Sequence, residues 1–166
     1  MKVLIANRGE IAIRIMRSCH ELGHQTIAVY SEADRTALHT RFADHAIPIG
    51  PTRAADSYLN FEALLEAAAQ SGADAVHPGY GFLSENPSFC LAVKDAGMIF
   101  IGPEAETMQV LGDKLSARKA ARTAGLPVLP GPDHPLTELE NSGMNQGDLR
   151  FPVLVKAAAG GGGKGI

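Results

Sequence analysis

The residues between positions 77 and 86 bring together, within ten positions, side chains suited to a binding loop. They are an imidazole, a phenol, a hydroxyl, a carboxylate and an amide, on His77, Tyr80, Ser84, Glu85 and Asn86. Two glycines flank the tyrosine, and loops of this kind at the end of a buried strand commonly bind ligands. The same segment is also compatible with a plain turn at its Pro-Gly pair and a core anchor at its phenylalanine. The residues alone leave both interpretations open.

A second candidate lies near the end of the sequence, where four consecutive glycines, residues 160–163, follow a predicted strand that ends in Lys156. A glycine backbone can wrap around phosphate oxygens without obstruction by side chains, and Lys156 and Lys164 add positive charge. The run is not a P-loop, because Ala158 stands where that motif needs its first glycine and Gly165 where it needs a serine or threonine. The pattern therefore indicates either a phosphate-binding loop or a flexible linker.

Short apolar runs alternate with helical patterns over the first hundred residues. We predict five strands, at Lys2–Ala6, Thr26–Tyr30, Ala46–Ile49, Asp74–His77 and Met98–Ile101. Several of these runs are nearly continuous in apolar residues, which is typical of strands buried on both faces of a parallel sheet. The alternation predicts an α/β fold, a Rossmann-like parallel sheet covered by helices. In such a fold, ligands gather at the carboxyl ends of the strands.

Three helices are predicted between these strands from the spacing of their apolar residues and from their caps. Asn60 and Asn86 stand in N-cap positions, and Gly23, Gly72 and Gly97 stand where a left-handed residue ends a helix. The predicted apolar faces are formed by Ile11, Ile15, Cys19 and Leu22, by Phe61, Leu64, Leu65 and Ala68, and by Phe89, Val93 and Ala96.

The first strand is not followed by a dinucleotide-binding motif. Its turn carries one glycine, Gly9, where a pyrophosphate needs G-x-G-x-x-G, and Arg8 and Glu10 would crowd the approach. Glu32 follows the second strand, where a ribose-binding carboxylate would belong. The missing glycines outweigh this single match, so the sequence argues against an NAD-dependent oxidoreductase.

The pattern changes near residue 112, and we predict two domains, residues 1–113 and residues 114–166. Asp113 is the predicted N-cap of an Ala-rich helix, and a loop over Pro127–Gly147 precedes a predicted strand at Pro152–Lys156. A strand and a glycine loop with nothing to pair with rarely complete a domain. We therefore expect the second domain to be incomplete within this sequence.

Composition and charge exclude several classes of protein. Of the 166 residues, 45% are apolar and 20% are charged, which is typical of a globular protein. The net charge is −3, made up of −6 in residues 1–113 and +3 in residues 114–166, and it argues against nucleic-acid binding as the main function. No apolar run approaches the ~18 residues of a membrane span, and the N-terminal run is too short for a signal peptide. We expect a soluble cytoplasmic protein with buried, reduced thiols at Cys19 and Cys90.

Four segments of the sequence resemble the biotin carboxylase component of biotin-dependent carboxylases. They are residues 5–12, 77–86, 100–103 and 112–114, with the sequences IANRGEIA, HPGYGFLSEN, FIGP and GDK. The segments occur in the family's order across essentially the whole chain, and the block at 77–86 is too long to match by chance. The resemblance implies a Rossmann-like (pre-ATP-grasp) first domain without a dinucleotide motif, followed by the beginning of an ATP-grasp domain.

For the reaction, the resemblance implies that ATP, with Mg²⁺ bridging its phosphates, activates bicarbonate and that the carboxyl group passes to biotin held on a carrier protein. The residues implied to bind ATP are Lys114, Lys156, Gly162 and Gly163, and those implied to lie on the biotin side are His77, Tyr80 and Glu85. The remaining catalytic groups and the Mg²⁺ ligands are implied to lie beyond residue 166, so we expect the chain by itself to be inactive.

The partners that the resemblance implies are a biotin carboxyl carrier domain, a carboxyltransferase component that serves an acyl-CoA or pyruvate, and a second copy of the full-length protein. Neither nucleic acid nor a membrane is among them. The sequence departs from the family's usual pattern at Ala157–Ala159 and at Ile166. Neither departure removes a charged contact.

Two other interpretations remain open at this point. Another ATP-grasp ligase, such as a carbamoyl-phosphate synthetase or a purine-pathway carboxylase, would share the second domain, although the block at 77–86 argues against it. A non-catalytic remnant or dimerisation module would use the charged residues of the first helix, Arg14, Arg17 and Glu21. Exposure to solvent explains those charges equally well.

Overall fold

Five parallel strands form the sheet of this chain, whose computed structural model describes residues 1–129. The strands are β1 (Lys2–Ile5), β2 (Gln25–Tyr30), β3 (His45–Pro48), β4 (Ala75–His77) and β5 (Ile99–Phe100). Their spatial order is β3-β2-β1-β4-β5, and each neighbouring pair is parallel. The prediction of a parallel α/β sheet is confirmed, and every predicted strand end lies within one residue of the observed one.

Helices connect and cover the strands. They are α1 (Gly9–Glu21), α2 (Leu38–Phe42), α3 (Phe61–Ser71), α4 (Pro87–Asp95), α5 (Ala105–Gly112) and α6 (Lys114–Thr123). Helix α1 packs against α2, and α3 packs against α4. Because crossovers between parallel strands are right-handed, connections that run in opposite directions along the sheet place these two pairs on opposite faces. The sheet is therefore covered on both sides.

The core is built around the central strand β1, in which Val3, Leu4 and Ile5 are each at most 1% exposed. Val3 and Ile5 pack with Met16 of α1 in one apolar cluster. Leu4 belongs to the other face, because side chains alternate along a strand. Burying each aliphatic side chain of this size stabilises the fold by roughly 1.5–3 kcal/mol, so β1 is a rigid base for the residues that follow it.

The predicted helix caps are confirmed. The side chains of Asn60, Asn86 and Asp113 each accept a hydrogen bond from the backbone N–H three residues further on, which satisfies a donor that the first helical turn leaves free. Gly72 follows α3 with φ +62°, the left-handed conformation expected at a helix end. Local sequence signals therefore set where these helices begin and end.

The predicted apolar faces are wrong at two residues, which are exposed instead of buried. Leu22 is 72% exposed because it lies at the C-cap of α1, past the last turn that contacts the sheet. Ala96 is exposed at the C-cap of α4 for the same reason. The buried face of α1 consists instead of Ala12, Ile15, Met16 and Cys19. The thiols of Cys19 and Cys90 are buried and form no disulfide bond, as predicted.

The chain divides into two compact units, Met1–Ala105 and Glu106–Ile166. The domain boundary that we place at residues 112–114 stays a prediction. The predicted strand at Pro152–Lys156 and the glycine run lie outside the described residues. Within residues 1–129, no helix has the length and apolar character that crossing a membrane requires.

Candidate functional site at the carboxyl edge of the sheet

Three neighbouring strands deliver polar residues to one edge of the sheet. Ile5 of β1 pairs with His77 of β4 on one side and with Ala28 of β2 on the other, so these strands end close together. Asn7 follows β1, the 77–86 loop follows β4, and Ser31 follows β2. This is the edge at which parallel α/β sheets bind ligands.

Asn7 joins the end of β1 to the loop that follows β4. Its side chain is buried, at 2% exposure of the residue, and Nδ2 donates to the backbone carbonyls of Pro78 and Tyr80, each at 2.8 Å. Its Oδ1 accepts from the N–H of Arg8 at 2.9 Å. Both donor hydrogens of the amide and one acceptor site are thus used, and a buried amide satisfied in this way is held in one orientation.

The loop turns at Gly79 in a manner that only glycine allows. Its φ is +69°, and a Cβ added there would lie 2.6 Å from Nδ2 of Asn7. The N–H of Gly79 donates to Nδ1 of His77 at 3.0 Å, so a neutral His77 carries its proton on Nε2. Burial lowers the pKa of His77, which favours that neutral form.

The far end of the loop is held by stacked side chains. The ring of Phe82 lies on that of Tyr58, with centroids 5.1 Å apart and planes 10° from parallel. The guanidinium of Arg8 lies 5.4 Å from the centroid of Tyr58 and 5.6 Å from that of Phe82. Phe82 has φ +43°, an uncommon conformation for a residue with a side chain, which the stacking maintains.

Asp34 is the acceptor that holds this stack together. Its Oδ2 accepts from Tyr58 OH at 2.8 Å, from Ser31 Oγ at 2.9 Å and from Arg8 Nη1 at 3.2 Å. Burial opposes ionisation of Asp34, but these bonds together outweigh it, and the pKa of Asp34 lies below its ordinary value. Burial, with the adjacent carboxylate, raises the pKa of Tyr58 to about 12. The cluster therefore contains one carboxylate, one guanidinium and one protonated phenol.

Tyr80 stands out from this framework. It is 64% exposed, and it lines an open cleft of about 400 Å³ together with Gly81, Phe82 and residues 7–11. The arrangement can present a phenol to a ligand arriving from solvent. Among residues 1–129, no group of three or more His, Cys, Asp or Glu side chains is placed to hold a metal ion.

The residues that the sequence predicts for the site do not all lie together in the structure. His77, Tyr80 and Glu85 share the loop after β4, where His77 is half-buried and Glu85 is exposed. Lys114 is the first residue of α6, in the second compact unit. The other residues predicted to bind ATP, Lys156, Gly162 and Gly163, lie outside the described residues.

Sequence reasoning missed the residues that hold the loop in place. Asn7 carries a detectable signal, because it directly follows an uninterrupted apolar strand and its amide is therefore carried into a buried position that requires partners. Asp34 and Tyr58 carry none, since nothing in their local sequence indicates that they meet.

Two family models match the chain. The model of the biotin carboxylase N-terminal domain covers residues 1–108, which is well over half of the sequence and includes all the residues at the carboxyl edge of the sheet. The chain belongs to the biotin carboxylase family. A second model, of the ATP-binding domain of the carbamoyl-phosphate synthase L chain, covers residues 113–166. The predicted family is confirmed.

Curated members of the biotin carboxylase family match from end to end of this chain. The biotin carboxylase of Pseudomonas aeruginosa is 50% identical over 166 residues, which are 99% of this chain and 37% of that protein. The biotin carboxylase of Halalkalibacterium halodurans is 51% identical over 165 residues, which are 99% of this chain and 36% of that protein. The chain thus spans little more than a third of the length of the curated relatives it matches.

Solved structures of the biotin carboxylase family share the fold. The Campylobacter jejuni biotin carboxylase, in a β-γ-ATP complex, has a TM-score of 0.91 at 46% identity and covers 97% of this chain and 36% of its own. The biotin carboxylase domain dimer of Hydrogenobacter thermophilus 2-oxoglutarate carboxylase, with MgADP, ADP and bicarbonate, has a TM-score of 0.89 at 45% identity, covering 97% and 35%.

Proposed function

We propose that this chain is the N-terminal part of an ATP-dependent biotin carboxylase, a ligase that activates bicarbonate with ATP and carboxylates carrier-bound biotin in the cytoplasm. The observation that carries the proposal is the 50% identity to a biotin carboxylase over 99% of the chain, because it extends through both matched domains. Residues 1–113 form the pre-ATP-grasp domain in this proposal, and residues 114–166 begin the ATP-grasp domain.

On the ATP side, we propose that Lys114, Lys156, Gly162 and Gly163 bind the nucleotide. Bound ATP supplies the phosphoryl group that activates bicarbonate. A lysine ammonium offsets the charge of phosphate oxygens, and glycine backbone approaches them without obstruction. The net charge of +3 in residues 114–166 supports this assignment, as do the nucleotides in the two related structures. We propose that the Mg²⁺ ligands lie beyond residue 166.

On the biotin side, we propose that His77, Tyr80 and Glu85 face the ureido ring of biotin on its carrier domain. The exposed phenol of Tyr80 and the open cleft beside it support this assignment. A carboxyltransferase component would then pass the carboxyl group to an acyl-CoA or to pyruvate. The dimer in the Hydrogenobacter thermophilus structure supports a homodimer of the full-length protein.

A second candidate function is that of another ATP-grasp ligase. The match of residues 113–166 to the ATP-binding domain of carbamoyl-phosphate synthase favours it. The first domain argues against it, because residues 1–108 match the biotin carboxylase model. Dependence of ADP release on biotin separates the two functions.

The test is a hybrid enzyme in which residues 1–166 replace the matching 37% of the Pseudomonas aeruginosa biotin carboxylase. We expect ADP release that requires bicarbonate and is stimulated by free biotin. Residues 1–166 alone should release no ADP in the same assay. A hybrid that binds ATP yet shows no response to biotin contradicts the proposed function, and bicarbonate-dependent ADP release by residues 1–166 alone contradicts the proposal that the chain is inactive by itself.

A further inference from the structure

We propose that Asn7 is a positioning residue for the biotin side of the site, which it controls by fixing the backbone on which Tyr80 is mounted. The inference rests on the proposed function and deepens it. Asn7 lies at the end of β1, beneath the loop, and contributes very little surface to the cleft that a ligand would occupy, because it is 2% exposed. It acts through the loop.

The contacts of Asn7 are directed at the part of the loop that carries Tyr80. Its amide nitrogen donates to the carbonyl of Tyr80 itself and to that of Pro78, so the intervening residue, Gly79, wraps around the amide. Addition of a Cβ at Gly79 would place it 2.6 Å from Nδ2 and 2.9 Å from Cβ and Cγ of Asn7. The backbone around Gly79 therefore packs directly against the side-chain amide of Asn7 and leaves no room for a Cβ.

The two ends of the loop are held by two consecutive residues. Asn7 holds the beginning, and Arg8 lies over the rings of Tyr58 and Phe82 at the end. Between them, two glycines in left-handed conformations would otherwise give the loop wide conformational freedom. The phenol of Tyr80 projects from the middle of this span, 64% exposed, so its direction is set mainly by the backbone on either side.

The substitution Asn7→Asp tests this role with almost no change in size. It keeps the oxygen that accepts from Arg8 N–H and replaces the donor Nδ2 by an oxygen that faces two carbonyl oxygens. In the hybrid enzyme at about pH 8 we expect the KM for free biotin to rise about tenfold, equivalent to about 1.4 kcal/mol, and the KM for ATP to stay within about twofold.

The matched control is Asn60→Asp. Like Asn7, Asn60 accepts a hydrogen bond from a nearby backbone N–H through its side-chain oxygen; the donor is Ala63 at the start of α3. A carboxylate keeps that bond and suits the positive end of a helix, so we expect the KM for biotin to equal that of the unsubstituted hybrid. An increase in this control equal to that of Asn7→Asp would overturn the inference.

The pH dependence of the KM for biotin distinguishes the proposed role of Asn7 from a general loss of structure in Asn7→Asp. A carboxyl group buried against carbonyls has a raised pKa, and its protonated form regains one O–H donor. We therefore expect the KM for biotin of Asn7→Asp, relative to the unsubstituted hybrid, to fall back as the pH is lowered from about 8 to about 6. A ratio that does not change with pH would overturn the inference.

Should Asn7→Asp fail to fold, Gly79→Ala disturbs the same contact from the loop side, with Gly81→Ala as its control. Both glycines have positive φ, but open space surrounds only the added Cβ of Gly81. The KM for biotin should rise more in Gly79→Ala. Equal values would overturn the inference, whereas an unsubstituted hybrid that ignores biotin would overturn the proposed function instead.

Discussion

At the scale of single residues, the carboxyl edge of the sheet depends on one carboxylate. Asp34 accepts from three donors, and one of them, the OH of Tyr58, in turn accepts from the buried N–H of Ser31. Removing the negative charge weakens all three bonds at once and loosens Arg8 from the aromatic stack. The stability of this edge should therefore follow the ionisation of Asp34.

The first prediction concerns Asp34→Asn. Because the pKa of Asp34 is lowered in the fold, its contribution is present above the ordinary value of 3.8 and is lost as the pH falls below it. Charged hydrogen bonds contribute about 2 kcal/mol, so urea unfolding at about pH 7 should show a loss of roughly that size. The difference between the two proteins should shrink below about pH 4. The exposed Asp95 gives the control, Asp95→Asn, for which we expect no comparable loss of unfolding free energy at about pH 7.

A second prediction concerns Lys156, which we propose to lie at the phosphates of ATP. Calorimetry on the hybrid enzyme should show that Lys156→Ala weakens ATP binding by at least about tenfold, because an unneutralised phosphate charge remains. Lys94→Ala removes a lysine that pairs with Glu104 on the first unit, and it should leave ATP binding nearly unchanged. Equal losses in the two variants would contradict the assignment.

Sequence distance decides which of these residue contacts could be predicted. The caps at Asn60, Asn86 and Asp113 join residues three positions apart, so the local pattern reveals them. The bond from Asn7 to Pro78 joins residues 71 positions apart, and it depends on β1 and β4 becoming neighbours. Residue types make the segment around Tyr80 a candidate binding loop, but they do not reveal the side chains that hold it in place.

At the scale of elements, helix α2 is fastened to the sheet by a buried histidine. His39 is fully buried, and its Nε2 donates to the carbonyl of Val29 in β2 at 3.2 Å. Its Nδ1 is buried without a hydrogen-bond partner among the described residues. A second proton on this ring would introduce a charged, unsatisfied donor beneath the helix.

The third prediction follows from that geometry. Burial lowers the pKa of His39, although its bond to Val29 opposes the shift, so the neutral form stabilises the fold above the ordinary value of 6.5 and this contribution is lost as the pH falls below it. The charges of Asp34 and Arg8, which also act on the ring, have opposite effects. We expect His39→Gln to flatten the decline in unfolding free energy between about pH 7 and about pH 5. The control is the same substitution at an exposed histidine, His45→Gln. If the decline in unfolding free energy is unchanged in His39→Gln, the prediction is contradicted.

Elements with a complete local signal are predictable, and those without one are missed. The strands show short apolar runs, and helices α3 and α4 combine apolar spacing with an N-cap and a glycine at the end, which is why their predicted bounds lie close to those observed. Helix α2 has five residues, too few to show a period, and α5 runs directly into the cap of α6. Both are stabilised by packing that no short window of sequence displays.

At the scale of the whole molecule, the chain divides into Met1–Ala105 and Glu106–Ile166, and we expect the first unit to fold independently. The five strands, both helical layers and the loop anchors all belong to the first unit. A piece cut after Gly112 retains all of these. We expect residues 1–112 to unfold in urea in a single cooperative transition, with the same midpoint by far-ultraviolet circular dichroism and by tyrosine fluorescence. Separate midpoints, or no transition, would reject a boundary at 112–114.

The parallel direction of the strands gives the first unit two opposite rims. Met1, 54% exposed, precedes β1, and the turns at Gly23, Gly72 and Gly97 precede β2, β4 and β5 on that same side. Tyr80 lies at the opposite rim, where the strands end. A tether attached at Met1 therefore leaves the rim that carries Tyr80 on the side of the sheet away from the attachment point.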